Sequence, residues 1–123
     1  MRVELTKQYR FEAAHRLPQV PPEHKCARMH GHSFVIEVSV AGEMDEAKGW
    51  LMDFGDVTAV VEPLLKQELD HRTLNDVAGL ENPTSEILCR WLWQRLAPKL
   101  PGLSALTVQE TCTARCTIRG IQA

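Results

Sequence analysis

Residues 26–40 read CARMHGHSFVIEVSV, and this stretch decides how the rest of the chain can fold. From residue 34 onward apolar and polar side chains alternate, which is the pattern of a β-strand with one buried face. Side chains two residues apart in a strand point to the same side, so His30 and His32 project together. Two neutral imidazoles on one rigid element are a good start for a zinc site. The alternative is that both histidines only make hydrogen bonds where the strand begins.

The composition is that of an ordinary globular protein. The chain has 123 residues, 44% of them hydrophobic and 24% charged, which fits one domain over residues 1–123. A net charge of −2 without a Lys/Arg cluster speaks against a nucleic-acid or membrane surface. The sequence shows no signal-peptide core, and four cysteines without a secretion signal are typical of reduced thiols. We therefore expect a cytoplasmic protein.

A second long strand is predicted over residues 2–15, where apolar residues from Val3 to Ala13 share one face. His15 has the parity of that apolar face, at the point where the strand passes into a loop. It is the natural third zinc ligand, and three protein ligands with an open fourth position are the arrangement of a catalytic zinc site. The loop that follows contains three prolines and His24, which we interpret as an exposed histidine outside the metal site.

Two helices are expected after these strands, followed by two further strands. The first helix has Asp56 as a plausible N-cap, and Pro63 interrupts its apolar stripe, so it either kinks there or begins later. The second begins with Asn82 as its cap and Pro83 at the first helical position. This order predicts an α+β domain with a four-stranded antiparallel sheet. Both helices, inserted between strands 2 and 3, pack on one face of it.

Further positions carry groups suited to catalysis. Cys26 can complete the zinc site as a fourth ligand or stand beside the metal as a thiolate base. Asp70 and His71 adjoin each other, which is typical of a proton relay but also of a polar turn. Glu110 has the parity of a core residue, and burying an unpaired carboxylate costs several kcal/mol. It therefore either turns outward through a twist or a bulge or anchors a ligand that is cationic or rich in N–H groups.

Six short motifs together resemble the 6-pyruvoyl-tetrahydropterin synthase family over nearly the whole chain. The gap of three residues between Cys26 and His30 is similar to the 6-carboxytetrahydropterin synthase branch, which serves queuosine biosynthesis, whereas the pyruvoyl branch typically has a longer gap. The motifs are Phe11-Glu12-Ala13-Ala14-His15, Cys26-x3-His30-Gly31-His32, Met52-Asp53-Phe54, Leu69-Asp70-His71-x2-Leu74-Asn75, Asn82-Pro83-Thr84-Ser85-Glu86 and Glu110-Thr111.

The resemblance implies a tunnelling fold, whose sheets join into a barrel, in a homo-oligomer with active sites shared between subunits. It implies a zinc-dependent lyase that converts 7,8-dihydroneopterin triphosphate to 6-carboxytetrahydropterin, acetaldehyde and triphosphate. One alternative is the pyruvoyl reaction, which has the same zinc and substrate but no carbon–carbon cleavage. The other is a non-enzymatic zinc module, in which Cys26 and the three histidines close a structural site.

The resemblance also implies a role for each candidate residue. Cys26 would be the proton-abstracting base rather than a ligand, and the Asp70–His71 pair would relay protons. Zinc would be held by three histidines, His15, His30 and His32. Glu110 would bind the N–H edge of the pterin and also take part in catalysis by coupling to the relay. Thr84 and Ser85 would line the pterin pocket, although both are also suited to capping the second helix. Four cations are candidates for contact with the triphosphate: Arg16, Lys25, Arg28 and Arg115.

Overall fold

The structure, a computed structural model, describes residues 1–121 as a five-stranded sheet with two helices. The strands follow the order β3-β1-β2-β4-β5 across the sheet. They are β1 (Arg2–His15), β2 (His30–Glu43), β3 (Arg72–Thr73), β4 (Leu103–Thr111) and β5 (Ala114–Ile118), and the helices are α1 (Phe54–Leu64) and α2 (Ser85–Leu96). Gln122 and Ala123, which the predicted domain includes, lie outside the described residues. None of the described helices is both long and apolar enough to span a membrane.

The longest pairing in the sheet is the ladder between β1 and β2. The two strands, of 14 residues each, pair antiparallel from Arg2 opposite Glu43 to His15 opposite His30. The alternation predicted for residues 2–15 is confirmed, because the side chains on the inner face become fully buried from Tyr9 onward. One long, continuous register therefore connects the N-terminus of the chain to the histidines.

The predicted sheet of four antiparallel strands is wrong in one respect. A fifth strand, β3, joins the outer edge of β1 and runs parallel to it, pairing with Ala13 and Ala14. Just before it, the N–H of His71 donates to the carbonyl of Glu12 at 2.6 Å. A strand of two residues has no alternation for a sequence pattern to reveal, so this segment read as irregular.

The core lies between the inner face of the sheet and the two helices, in agreement with the prediction that both helices pack on one face. Trp91 stands at the rim of this core, and its Nε1–H donates to the carbonyl of Ala78 at 3.0 Å. The buried cluster combines residues from the central strands and from both helices, among them Phe11, Phe34, Ile36, Leu106, Val108, Val57, Val61, Leu88, Leu92 and Leu96.

Both predicted helix starts are displaced. Helix α1 begins at Phe54, three residues earlier than expected, because Asp53 rather than Asp56 caps it by accepting the Gly55 N–H at 2.8 Å. Pro63 then falls in the last turn, and a π-helical turn over Leu65–Leu69 follows directly.

Helix α2 begins at Ser85 instead of Pro83. Its N-cap is Thr84, whose Oγ1 accepts the Ile87 N–H at 3.1 Å, so Asn82 is not the cap. Asn82 and Thr84 are both good capping residues, which is why the sequence alone pointed to the wrong one. As a result, the carbonyl of Pro83 stays outside the helix and is free for another partner.

Candidate active site

The three predicted ligands, His15, His30 and His32, come together at one end of the core. In the β1–β2 register His15 is directly opposite His30, and His32 is opposite Ala13, so all three rings project from the same face of the sheet. Their ring centroids form a triangle with sides of 4.6, 4.9 and 5.1 Å. One potential ligand atom from each residue lies within 4.8 Å of the others. The predicted convergence is confirmed.

Backbone carbonyls orient two of these rings. The Nδ1 atom of His15 lies 2.9 Å from the carbonyl oxygen of Pro83, and that of His30 lies 2.8 Å from the carbonyl oxygen of Arg28. A carbonyl oxygen only accepts, so each Nδ1 carries the proton and each Nε2 keeps a free lone pair. This tautomer is the one that a metal ion requires.

Two of the Nε2 atoms are buried without a hydrogen-bond partner in the described part of the chain. The Nε2 atoms of His15 and His32 are buried and make no hydrogen bond within residues 1–121. Burying a polar atom without a partner costs free energy, so such atoms call for a bound group that uses their lone pairs. A divalent metal ion satisfies that need, and the donor set therefore fits a metal.

Burial favours the neutral form of His15 and His32. It lowers the pKa of both His15 and His32 below the usual 6.5, while the negative charge of Glu110 opposes the shift. The ring of Phe34 packs edge-on against both, at centroid distances of 5.5 and 5.4 Å, and contributes to this burial. Neutral imidazole is the metal-binding form, so the surroundings favour the charge state that a ligand needs.

A cavity of about 470 Å³ and another of about 450 Å³ meet at Gly31 and His32. The second, which we call the histidine cavity, is bordered by all three histidines together with Cys26 and Glu110. The full lining of the histidine cavity is His15, Leu17, Lys25, Cys26, His30, Gly31, His32, Glu110 and Thr111.

Cys26 borders the histidine cavity without joining the ligand cluster. Within residues 1–121, the only group of His, Cys, Asp or Glu close enough to share a metal is the three histidines. Cys26 sits in a 3₁₀ turn over Lys25–Ala27, where its carbonyl accepts the Leu17 N–H at 2.7 Å. Cys26 thus borders the same cavity as the histidines, and its role as fourth ligand or as base stays a prediction.

His24 is exposed and outside the cluster of three histidines, as predicted, but it has a structural role. Its Nδ1 accepts the Cys26 N–H at 3.0 Å and so caps the turn that carries the thiol. Sequence reasoning missed this role, although the position of His24, two residues before Cys26, was a usable signal for a side-chain cap.

Glu110 is half-buried, and the register between β4 and β5 shifts at this point, between Gln109 and Thr111. Its Oε1 accepts a hydrogen bond from the Ser85 hydroxyl at 2.9 Å, which gives the carboxylate a partner and brings Ser85 to the site. The hydroxyl of Thr84 is instead used to cap α2. The pterin contact expected of Thr84 stays a prediction.

His71 borders the cavity of about 470 Å³, and Asp70 lies next to it in contact with its ring. Asp70 accepts the Glu12 N–H at 2.9 Å, and its second oxygen is 3.0 Å from Nδ1 of His71. The Glu12 N–H, followed by the contact with His71, lowers the pKa of Asp70. His71 has a φ of 59°, in the left-handed region, and its side chain is 79% exposed. Within one chain the cavity beside His71 shares only the Gly31–His32 wall with the histidine cavity.

Asn75 is a further positioning residue that the sequence analysis did not single out. Its Oδ1 accepts the N–H of Arg16 at 3.0 Å, and its Nδ2 donates to the Arg16 carbonyl at 2.9 Å. Asn75 therefore fixes the backbone directly after His15. Its place in one of the six motifs was the available signal.

Comparisons with known proteins agree with this geometry. Residues 4–121 match the family model described as 6-pyruvoyl tetrahydropterin synthase. A 6-carboxy-5,6,7,8-tetrahydropterin synthase from Synechocystis sp. is 45% identical over 113 residues, covering 88% of this chain and 86% of that protein. A dihydroneopterin monophosphate aldolase from Pyrococcus furiosus is 38% identical over 102 residues, covering 83% and 82%. The solved structure of Caenorhabditis elegans 6-pyruvoyl tetrahydropterin synthase has a TM-score of 0.89 at 27% identity, covering 98% and 97%.

Proposed function

We propose, because this chain belongs to the 6-pyruvoyl tetrahydropterin synthase family, that it is a zinc-dependent carbon–carbon lyase of the 6-carboxytetrahydropterin branch. Its substrate is 7,8-dihydroneopterin triphosphate, and its products are 6-carboxy-5,6,7,8-tetrahydropterin, acetaldehyde and triphosphate, made for queuosine biosynthesis. The similarity to the Synechocystis synthase supports this branch. The single observation that carries the chemistry is the histidine cavity, in which a metal-binding cluster, the Cys26 thiol and the Glu110 carboxylate face the same space.

The zinc would be held by the free Nε2 atoms of His15 and His32 and by His30. Bound there, zinc acts as a Lewis acid that acidifies the hydroxyls of the substrate's side chain and stabilises developing negative charge. The carbonyls of Pro83 and Arg28 keep two of the rings in the required orientation.

The chain's own groups position the substrate and move its protons. Glu110 accepts hydrogen bonds from the N–H edge of the pterin, while the Ser85 hydroxyl holds one carboxylate oxygen in place. Cys26, held by the 3₁₀ turn, removes a proton from the substrate's side chain. His71 returns a proton, and Asp70 beside it stabilises the imidazolium that carries that proton.

The relay acts, in this proposal, on the active site of a neighbouring subunit of a homo-oligomer. Two features support that placement: His71 is largely exposed, and it borders a different cavity from Cys26. Co-expression of Cys26→Ala and His71→Asn chains tests it. Mixed oligomers should regain activity that neither variant has alone, because some sites then combine both intact groups. Absence of any regain in mixed oligomers would place the relay in the same chain as Cys26.

The reaction itself is tested by identifying products. Zinc-loaded protein is incubated with 7,8-dihydroneopterin triphosphate, and acetaldehyde and the pterin product are measured by mass spectrometry. Acetaldehyde with the 6-carboxy product supports the proposal. Triphosphate release without acetaldehyde would indicate the pyruvoyl reaction. No turnover, with a filled fourth position on the metal, would indicate a structural zinc module. Dihydroneopterin monophosphate is assayed in parallel, because the chain is also similar to the dihydroneopterin monophosphate aldolase of Pyrococcus furiosus.

A further inference from the structure

The histidine cavity has a direction that the strand register defines. Gln109 pairs with Val35, so Glu110 lies one residue further along, towards Phe34. From there His32 and then His30 follow along β2. The Leu17 N–H donates to the Cys26 carbonyl, so the turn Lys25–Ala27 lies next to the chain just beyond His15, the partner of His30. At about 3.3 Å per residue, Phe34 and His30 are about 13 Å apart. The cavity therefore runs from a carboxylate, past the metal cluster, to the turn that carries Lys25.

Lys25 supplies a positive charge at the second end. In the part of the chain that the structure describes, it is the only Lys or Arg bordering the histidine cavity. The side chain is exposed, and no carboxylate of residues 1–121 forms a salt bridge with its ammonium group. An ammonium on a flexible stem is a good ligand for phosphate oxygens.

The other candidate cations are less suitably placed. Arg115 borders a neighbouring cavity that shares Glu110 but none of the histidines, and it forms a salt bridge with Glu37 at 3.5 Å. Arg16 and Arg28 are exposed and do not border the histidine cavity. Lys25 is therefore the cation that a ligand already seated at Glu110 and the histidines would meet.

We propose that Lys25 binds the phosphate chain of the substrate and thereby selects phosphorylated pterins and fixes their orientation. This inference rests on the proposed function and states how the substrate is oriented along the cavity. The N–H edge of the ring lies at Glu110, the hydroxylated side chain at the histidines, and the phosphates at Lys25. Lys25 is thus a binding residue, distinct from the base at Cys26.

Binding of two inert, fluorescent pterins tests this inference without any turnover. Neopterin triphosphate and neopterin, the oxidised analogues, are titrated into zinc-loaded protein, and Kd is measured by fluorescence. Lys25→Met should raise the Kd of neopterin triphosphate about tenfold, the effect of losing one charge-assisted contact. The Kd of neopterin should stay unchanged. Lys25→Arg should recover most of the affinity, and added salt should reduce the preference of the wild-type protein for the triphosphate.

Lys48→Met is the matched control, because Lys48 is an equally exposed lysine beyond the opposite end of β2. It should leave both Kd values unchanged. An equal rise of both Kd values in Lys25→Met would mean that Lys25 only shapes the turn, and no rise would mean that it makes no contact; either result overturns the inference. The proposed reaction fails separately, through the absence of acetaldehyde, whatever the effect of Lys25 on binding.

Discussion

The three histidines and the Asp70–His71 pair are held by the fold in very different ways. The histidines project from two paired strands, pack against Phe34, and have ring orientations set by backbone carbonyls. The pair lies beside the short strand β3 at the sheet's edge, where His71 is largely exposed and adopts a left-handed backbone conformation. The difference teaches that the histidine cluster is fixed by contacts within the chain, whereas the Asp70–His71 pair is held at an exposed edge with few contacts.

His32→Ala should produce the largest effect, because it removes a ligand from the histidine cluster. We expect metal affinity to fall more than about 100-fold and turnover to disappear, while the fold persists. Metal content and circular dichroism measure the two outcomes. His24→Ala is the control, an exposed histidine outside the cluster that should retain the metal. Normal metal content in His32→Ala would remove His32 from the site.

Cys26→Ala should separate chemistry from metal binding. The thiol borders the histidine cavity but is not part of the ligand cluster. We therefore expect full metal content with kcat reduced about 10²–10⁴-fold, the usual contribution of a general base. Elemental analysis and steady-state kinetics are the measurements. Loss of metal in this variant would make Cys26 a ligand.

His71→Asn probes the Asp70–His71 pair without disturbing its backbone. Asparagine tolerates the left-handed conformation that His71 adopts, so only the imidazole is lost. We expect kcat to fall about 10²-fold, with metal content unchanged and stability altered by less than about 1 kcal/mol. Kinetics and thermal melting decide. A kcat equal to that of the wild type would exclude His71 from proton transfer.

Glu110→Gln should mainly affect substrate binding. The amide oxygen can still accept from Ser85, so the local structure is preserved while the charge facing the ligand is lost. We expect KM to rise about tenfold, in line with one lost charge-assisted hydrogen bond, with a smaller change in kcat. Unchanged KM and kcat would show that Glu110 does not contact the substrate.

Asp70→Asn should lower the stability of the fold slightly at neutral pH, and this difference should disappear in acid. The pKa of Asp70 is lowered from 3.8, first by the Glu12 N–H and then by His71. A carboxylate with a lowered folded-state pKa stabilises the fold above its unfolded pKa, and that contribution is lost as the pH falls through the folded pKa. The Tm difference between wild type and Asp70→Asn should therefore narrow below pH 3.8. A Tm difference that stays constant with pH would show that the contacts with the Glu12 N–H and His71 do not stabilise the charged form of Asp70.

The histidine cluster was predictable because it depends on simple periodicity. Two long alternating strands pair antiparallel, and parity alone then puts His15 on the same face as His30 and His32. The side of the sheet that bears the helices was predictable for the same reason. To predict these features it is enough to know which face of the strand a residue occupies, and strand geometry determines that directly.

Features that depend on tertiary contacts were beyond reach. Strand β3 exists only because two residues pair with the edge of β1, and His71 borders a separate cavity for the same reason. The start of α2 was misjudged because local propensity favours Asn82-Pro83. What competes with that propensity is a long-range contact, the hydrogen bond from His15 to the Pro83 carbonyl.

The pairing of His15 directly opposite His30 makes the geometry of the histidine cluster depend on the alignment of β1 and β2. A slip of one residue between β1 and β2 turns one partner's side chains to the wrong face, and the histidines then cannot share an ion. A metal ion present while the chain folds would therefore stabilise the correct alignment by its binding free energy and would not stabilise misaligned hairpins.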